Sequence, residues 1–165
     1  MDAAIRKELA QLGDKNRFRF SGEFIKYGYK NSGGGGHFLP TILLGNVRLI
    51  RDDKAPLVVT SHLWFNLTKG FKNLGILIPD ETVSFNGRVA KYKKGYEGTR
   101  TDINKPVTYD YDIIRPTKIK LEKCLISDSN SRTFWSGKNW QICNKIYEMY
   151  SEDYLRRNIF QPYTT

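Results

Sequence analysis

The chain has 165 residues, with 27 Lys and Arg against 17 Asp and Glu, so it carries a formal net charge of +10. That excess points to nucleic acid, an anionic surface or an acidic protein as partner, and it says nothing about fold. No apolar run approaches the roughly 20 residues that cross a bilayer, and the N-terminus lacks the apolar core of a secretion signal, so a cytoplasmic protein of a bacterial host cell is expected.

Residues 1–16 read as a short helix, with Ile5, Leu9 and Leu12 on one face. Residues 17–30, RFRFSGEFIKYGYK, alternate as a strand. Phe18, Phe20 and Phe24 share one parity. Beyond Gly22 the phase shifts to Ile25, Tyr27 and Tyr29, which predicts a bulged, strongly coiled strand able to serve two sheets. Residues 31–36, NSGGGG, form a flexible hairpin loop. No strand–GxxxxGK[ST]–helix pattern exists, so it is not a nucleotide-binding P-loop.

Residues 37–51 give a second strand, with Pro40 near its start, and 57–61, LVVTS, a short third one. The spacing of Leu67, Phe71 and Leu74, with Gly75 as a cap, predicts a helix over 68–74. Trp64 or Phe65 is expected to plug the core beneath it. Residues 81–96, ETVSFNGRVAKYKKGY, carry the clearest period of two: Val83, Phe85, Gly87 and Val89 on one face, with Ser84, Asn86, Arg88, Ala90 and Tyr92 on the other. This fourth strand delivers lysines and tyrosines into a turn at Gly95. A polar loop over 95–106 leads to a fifth strand over 107–121, open to a break at Pro116. Asp110 and Asp112 share one of its faces. With no third ligand in view they read as surface charges or turn partners rather than a metal site. Residues 127–132 form a polar linker. Then Trp140, Cys143, Ile146, Tyr147, Tyr150 and Tyr154 predict one helix over 138–158, its stripe packing on the barrel or on another copy of the chain. Cys124 and Cys143 are too few for a disulfide framework or a zinc site and are expected as small buried hydrophobes.

The element order, with TILLGNV at 41–47, SHLWF at 61–65, VSFNGRVAKYKKGY at 83–96 and DYDIIRPTKI at 110–119, resembles an oligonucleotide/oligosaccharide-binding (OB) fold. It looks like the small OB proteins of phages and mobile elements in low-GC bacteria. The resemblance covers residues 17–121. It implies a mainly β chain: an N-terminal helix (1–16), a five-stranded barrel (17–126) with a short helix between strands 3 and 4, and a helical extension (127–165). It also implies a ligand surface on strands 2 and 3, flanked by the loops at 29–38 and 95–106. The expected third strand, LVVTS, offers that surface no stacking ring.

Cations beside rings suit a strand of phosphates and flat bases. The expected function is therefore single-stranded nucleic-acid binding, DNA above all, in replication or recombination of a phage or mobile element. The expected contact residues are Arg19, Lys26, Tyr27, Tyr29, Lys30, Arg48, Arg88, Tyr92, Lys93, Lys94, Tyr96 and Arg100. The alternative is a protein-binding inhibitor or adaptor, anti-CRISPR-like, that blocks a host nucleic-acid enzyme or defence complex. The C-terminal helix would be its interface, or a site of self-association. No enzyme is expected. His37 and His62 lie in no HExxH spacing and no G-x-S-x-G element occurs. No catalytic residue, cofactor, metal or membrane contact is expected.

Overall fold

The computed structural model of the chain describes residues 6–32, 36–94 and 108–163. Among them the elements are α1 (Lys7–Leu12), β1 (Arg17–Asn31), β2 (Phe38–Leu49), β3 (Leu57–Asn66), α2 (Lys69–Lys72), β4 (Thr82–Lys94), β5 (Thr108–Lys123), α3 (Asn139–Met149) and α4 (Ser151–Arg156). The five strands form one antiparallel sheet in the order β3-β2-β1-β4-β5. That is the neighbour order of an OB barrel, and the fold is mainly β and OB-like.

The long first strand serves two partners, as its phase shift predicts. It pairs with β4 over Arg17–Glu23 and with β2 from Phe20 to Asn31, with register shifts at Ser21/Glu23 and Phe24/Lys26. Inside the curl lie Phe20, Phe24, Ile42, Leu44, Val47, Leu63, Phe65, Phe71, Phe85 and Val89, all buried. Burying each such side chain contributes roughly 1.5–3 kcal/mol. Gly87 sits where even a Cβ would lie 2.3 Å from Ile113 Cγ2, so β4 and β5 approach there without a side chain between them.

Among the described residues no ladder joins β3 to β5. The short α1 lies over that seam instead. Leu9 is fully buried in the core. Arg6 donates from Nε to Thr60 Oγ1 (3.2 Å) on β3 and from its guanidinium to the Tyr111 carbonyl (2.7 Å) on β5, while its backbone N–H donates to Asp110 Oδ1 (3.2 Å).

Several local expectations need correction. The third strand runs on to Asn66, because Leu63 and Phe65 continue the inward period of two begun at Val59. Phe65 is the core plug and Trp64 points outward, 43% exposed. The fifth strand passes through Pro116 without breaking. It absorbs the proline between two bulges, where Arg115 and Lys118 take φ of 52° and 49°. The C-terminal helix is two helices, broken at Tyr150. Cys143 is buried as expected, and Cys124 is exposed. Asp110 is not a surface charge. It is 2% exposed, and its carboxylate also accepts the Tyr111 N–H (2.8 Å).

Arg132, at the end of the polar linker, enters a buried ion pair. Arg132 and Glu81 are 8% and 0% exposed, and the guanidinium donates to both carboxylate oxygens. Glu81 also accepts the N–H groups of Ile78 (2.9 Å) and Leu125 (3.0 Å). Burial alone would raise this carboxyl, but these hydrogen bonds outweigh it and hold it at about 2. Beyond the pair, Ile142 and Ile146 of α3 join the barrel core, so the stripe packs on this chain's own sheet.

Candidate nucleic-acid interface

Past Glu23, β1 has lost β4 as a ladder partner; Phe24 still pairs with Asp80 and Glu81, and beyond it the edge runs toward α4, where Tyr29 packs on Tyr154. Tyr150, at the break between α3 and α4, fills part of that edge: its hydroxyl accepts the Tyr27 N–H (3.1 Å). The tail beyond α4 folds back. Ile159 accepts from the Tyr147 hydroxyl (2.9 Å), the Asn144 carboxamide pairs with both backbone groups of Tyr163 (3.1 Å each), and the Tyr163 hydroxyl accepts the Phe38 N–H (2.7 Å). The extension thus becomes a second wall beside the outer face of β1, β2 and β3.

Between them lies a groove of about 500 Å³, within the roughly 300–1,000 Å³ range of ligand clefts. It is lined by Lys26, Gly28, Lys30, Thr41, Trp64 and Tyr154, with Tyr27, Tyr29, Arg157 and Ile159 completing it. Register explains the grouping. Lys26, Leu43 and Trp64 form one row across three strands, and Gly28 pairs with Thr41 in the next. Directly paired residues share a face. Trp64 lies across Gly28: a Cβ there would sit 3.0 Å from Trp64 Cη2 and 3.2 Å from Thr41 Oγ1. The missing side chain lets the end of the indole come down onto the sheet, and the ring stays 43% exposed.

Behind the groove runs a ladder of rings. Phe38 meets Tyr29 edge-on at 5.5 Å, Tyr29 meets Tyr154 at 5.3 Å, and Tyr154 stacks on Tyr147 at 5.2 Å. Burial pushes the Tyr29 hydroxyl up to about 12, and its oxygen has no hydrogen-bond partner among the described residues. Three cations line the groove, Lys26, Lys30 and Arg157, and among the described residues no carboxylate does. Arg157 pairs with Asp153 at 2.9 Å, but both are half exposed, so the pair is worth under about 1 kcal/mol and leaves the guanidinium usable.

No family model and no curated protein sequence matches this chain. A solved structure is similar in fold. A small single-stranded DNA-binding protein from Streptomyces coelicolor aligns with 67% of this chain and 96% of its own, at 16% identity and a TM-score of 0.35. So distant a likeness transfers neither sites nor activity.

The residues expected at the interface fall into three places. Lys26, Tyr29 and Lys30 meet at the groove. Tyr27 lines it only along the strand edge. Its ring is 1% exposed, packed on Phe24 and Trp135, and its hydroxyl accepts the Leu77 N–H (2.8 Å), so it has no face to offer a base. Arg19, Arg48 and Arg88 lie on the sheet's outer face toward the other end of β1 and β2. Tyr92, Lys93 and Lys94 close β4, where the Tyr92 hydroxyl meets Arg6 (3.4 Å) and Asp110 (3.5 Å). Tyr96 and Arg100, with the loop over 95–106, lie outside the described residues. Beside that end, burial raises the Asp112 carboxyl, opposed by Arg6 and Lys30. No cluster of three metal-ligating side chains occurs among the described residues. Gly28, Thr41, Trp64, Tyr154, Arg157 and Ile159 are the groove residues outside the expected set. Trp64 was findable from parity, once the third strand is carried past Ser61.

Proposed function

We propose that the protein is a non-enzymatic binder of single-stranded nucleic acid, DNA in the first instance, held in the groove between β1, β3 and α4. The observation that carries this reading is Trp64: a partly exposed indole against Gly28, lining one groove with Lys26, Lys30 and Arg157. An unpaired base stacks on such a ring for roughly 1–3 kcal/mol, and the cations take the flanking phosphates. Replication or recombination of a phage or mobile element is the setting we attach to it, on the sequence resemblance alone. The test is a fluorescence-anisotropy titration with a labelled single strand near 50 mM salt. A Kd weaker than about 100 μM, the ordinary limit of non-specific binding, contradicts the reading.

A second reading has one observation behind it. Phe134 (57%), Trp140 (40%) and Phe160 (76%) are large apolar side chains left exposed on the C-terminal extension. Aromatic anchors of this kind favour a protein-binding adaptor or inhibitor. Absence of binding to any oligonucleotide, with capture of a protein partner that Trp140→Ala abolishes, supports it over the first.

A further inference from the structure

The other half of the sheet carries a second cationic surface. Register sets Val58, Arg48, Ser21, Ser84 and Lys120 in one row across all five strands. The next rows are Arg19, Asn86 and Thr117, then Arg17, Arg88 and Ile114. Paired residues share a face, as do residues two apart on one strand. Arg17, Arg19, Arg48, Arg88 and Lys120 therefore share one. It is the outward face, because Phe20, Val83, Phe85 and Val89 of the opposite parity are buried.

The two bulges of β5 shape this wall. Arg17 donates to the Arg115 carbonyl, and Arg19 donates to the Lys118 carbonyl (2.7 Å). Each left-handed turn in β5 is thus held from β1 by an arginine, and the bulge residues Arg115 and Lys118 are themselves exposed. Arg48 and Arg88 differ. Their Nε atoms are buried and have no hydrogen-bond partner among the described residues. Two acids border the rows: Glu122, which accepts from Ser84 Oγ (2.7 Å), and Glu23, two residues past Ser21, which accepts from Asn46 Nδ2 (2.9 Å). No aromatic ring lies in the three rows.

We infer that this wall takes the phosphate backbone of a nucleic-acid duplex. A duplex keeps its bases stacked inside and presents phosphates. Guanidinium and ammonium groups with no ring among them match that surface, and an unstacked strand would find no platform here. The wall and the groove lie on the same outer surface, on either side of the β1 bulges. Ser21 and Gly28 are at most about 23 Å apart along the strand. A duplex on the wall with its unpaired tail in the groove makes a tailed duplex the best-bound form, and this last step rests on the reading of the groove given above.

Three labelled probes test it: a short blunt DNA duplex, a single strand, and the duplex carrying that strand as a tail. Each is titrated between about 50 and 200 mM salt. The wild type binds all three, the tailed duplex most tightly. Lys118→Gln with Lys120→Gln weakens duplex binding roughly tenfold and flattens its salt dependence by about two phosphates, with single-strand binding unchanged. Arg48→Gln gives a loss in the same direction, with its thermal melt confirming the fold. Single-strand binding without duplex binding, or a double lysine variant that binds the duplex as well as the wild type does, overturns the inference. Duplex binding without single-strand binding leaves the wall standing and overturns the groove. Polyglutamate bound as tightly as the duplex, and lost in the same variants, places an acidic protein on the wall and also overturns it.

Discussion

The groove and the wall are both cationic surfaces of one sheet, yet they are built differently. The groove combines three cations with an exposed ring, and three of its ten lining residues, Tyr154, Arg157 and Ile159, come from the C-terminal extension. The wall belongs to the sheet alone and has arginines without rings. Net charge cannot tell them apart. What separates them is the presence of a flat apolar platform, which decides whether bases or only phosphates find a partner.

The sharpest way to break the comparison is to loosen the extension and leave the sheet alone. Arg132→Met strips the buried Glu81 of its partner. Such losses cost about 3–5 kcal/mol, and the effect falls first on the clamp that holds the extension. Chemical denaturation reads the loss, and single-strand binding falls more than duplex binding. The same pair sets a pH dependence. Glu81 titrates at about 2 in the folded chain against an ordinary 4.5. Its folded value is depressed, so its contribution is fully present above the ordinary value and is lost as pH falls through about 2. Melting curves across that acid range should show a loss of stability that Glu81→Gln removes.

Next in size is Trp64→Ala. It removes a half-exposed ring, so stability changes little, while single-strand affinity drops by about 1–3 kcal/mol, or roughly five- to 150-fold, in the anisotropy titration. Trp64→Phe recovers most of it. On the wall, Arg19→Gln removes the charged donor to the Lys118 carbonyl. It lowers stability by about 1–3 kcal/mol in a thermal melt and weakens duplex binding. The smallest effect is Arg157→Gln. It flattens the salt dependence of single-strand binding by about 0.7 in slope, one phosphate's worth, and leaves the duplex alone.

The strands could be read from the sequence because β1 and β4 carry a period of two over a buried face, down to the phase shift in β1, and β2 is a continuous apolar run. The end of β3 could not, because Leu67 serves the strand's hydrophobic run and the helix period at once. Missing the last turn of that alternation hid Trp64 and left the ligand face without a ring. Other features depend on pairings between residues far apart in the chain. Tyr154 meets Tyr29 across more than a hundred residues, Arg132 meets Glu81 across 51, and Arg17 and Arg19 reach carbonyls on β5 about a hundred residues away. Local patterns carry no trace of such pairs. The scattering of the expected contact residues over groove, wall and strand end has the same origin: charge is visible in a sequence, but the face that displays it is not.

Photo-crosslinking tests the central claim most directly. A single strand carrying a halogenated pyrimidine is irradiated in the complex, and the adducts are mapped by mass spectrometry. The groove predicts adducts on Trp64 and Tyr154. Adducts confined to the β5 peptide, or none on the peptides of β3 and α4, would contradict it.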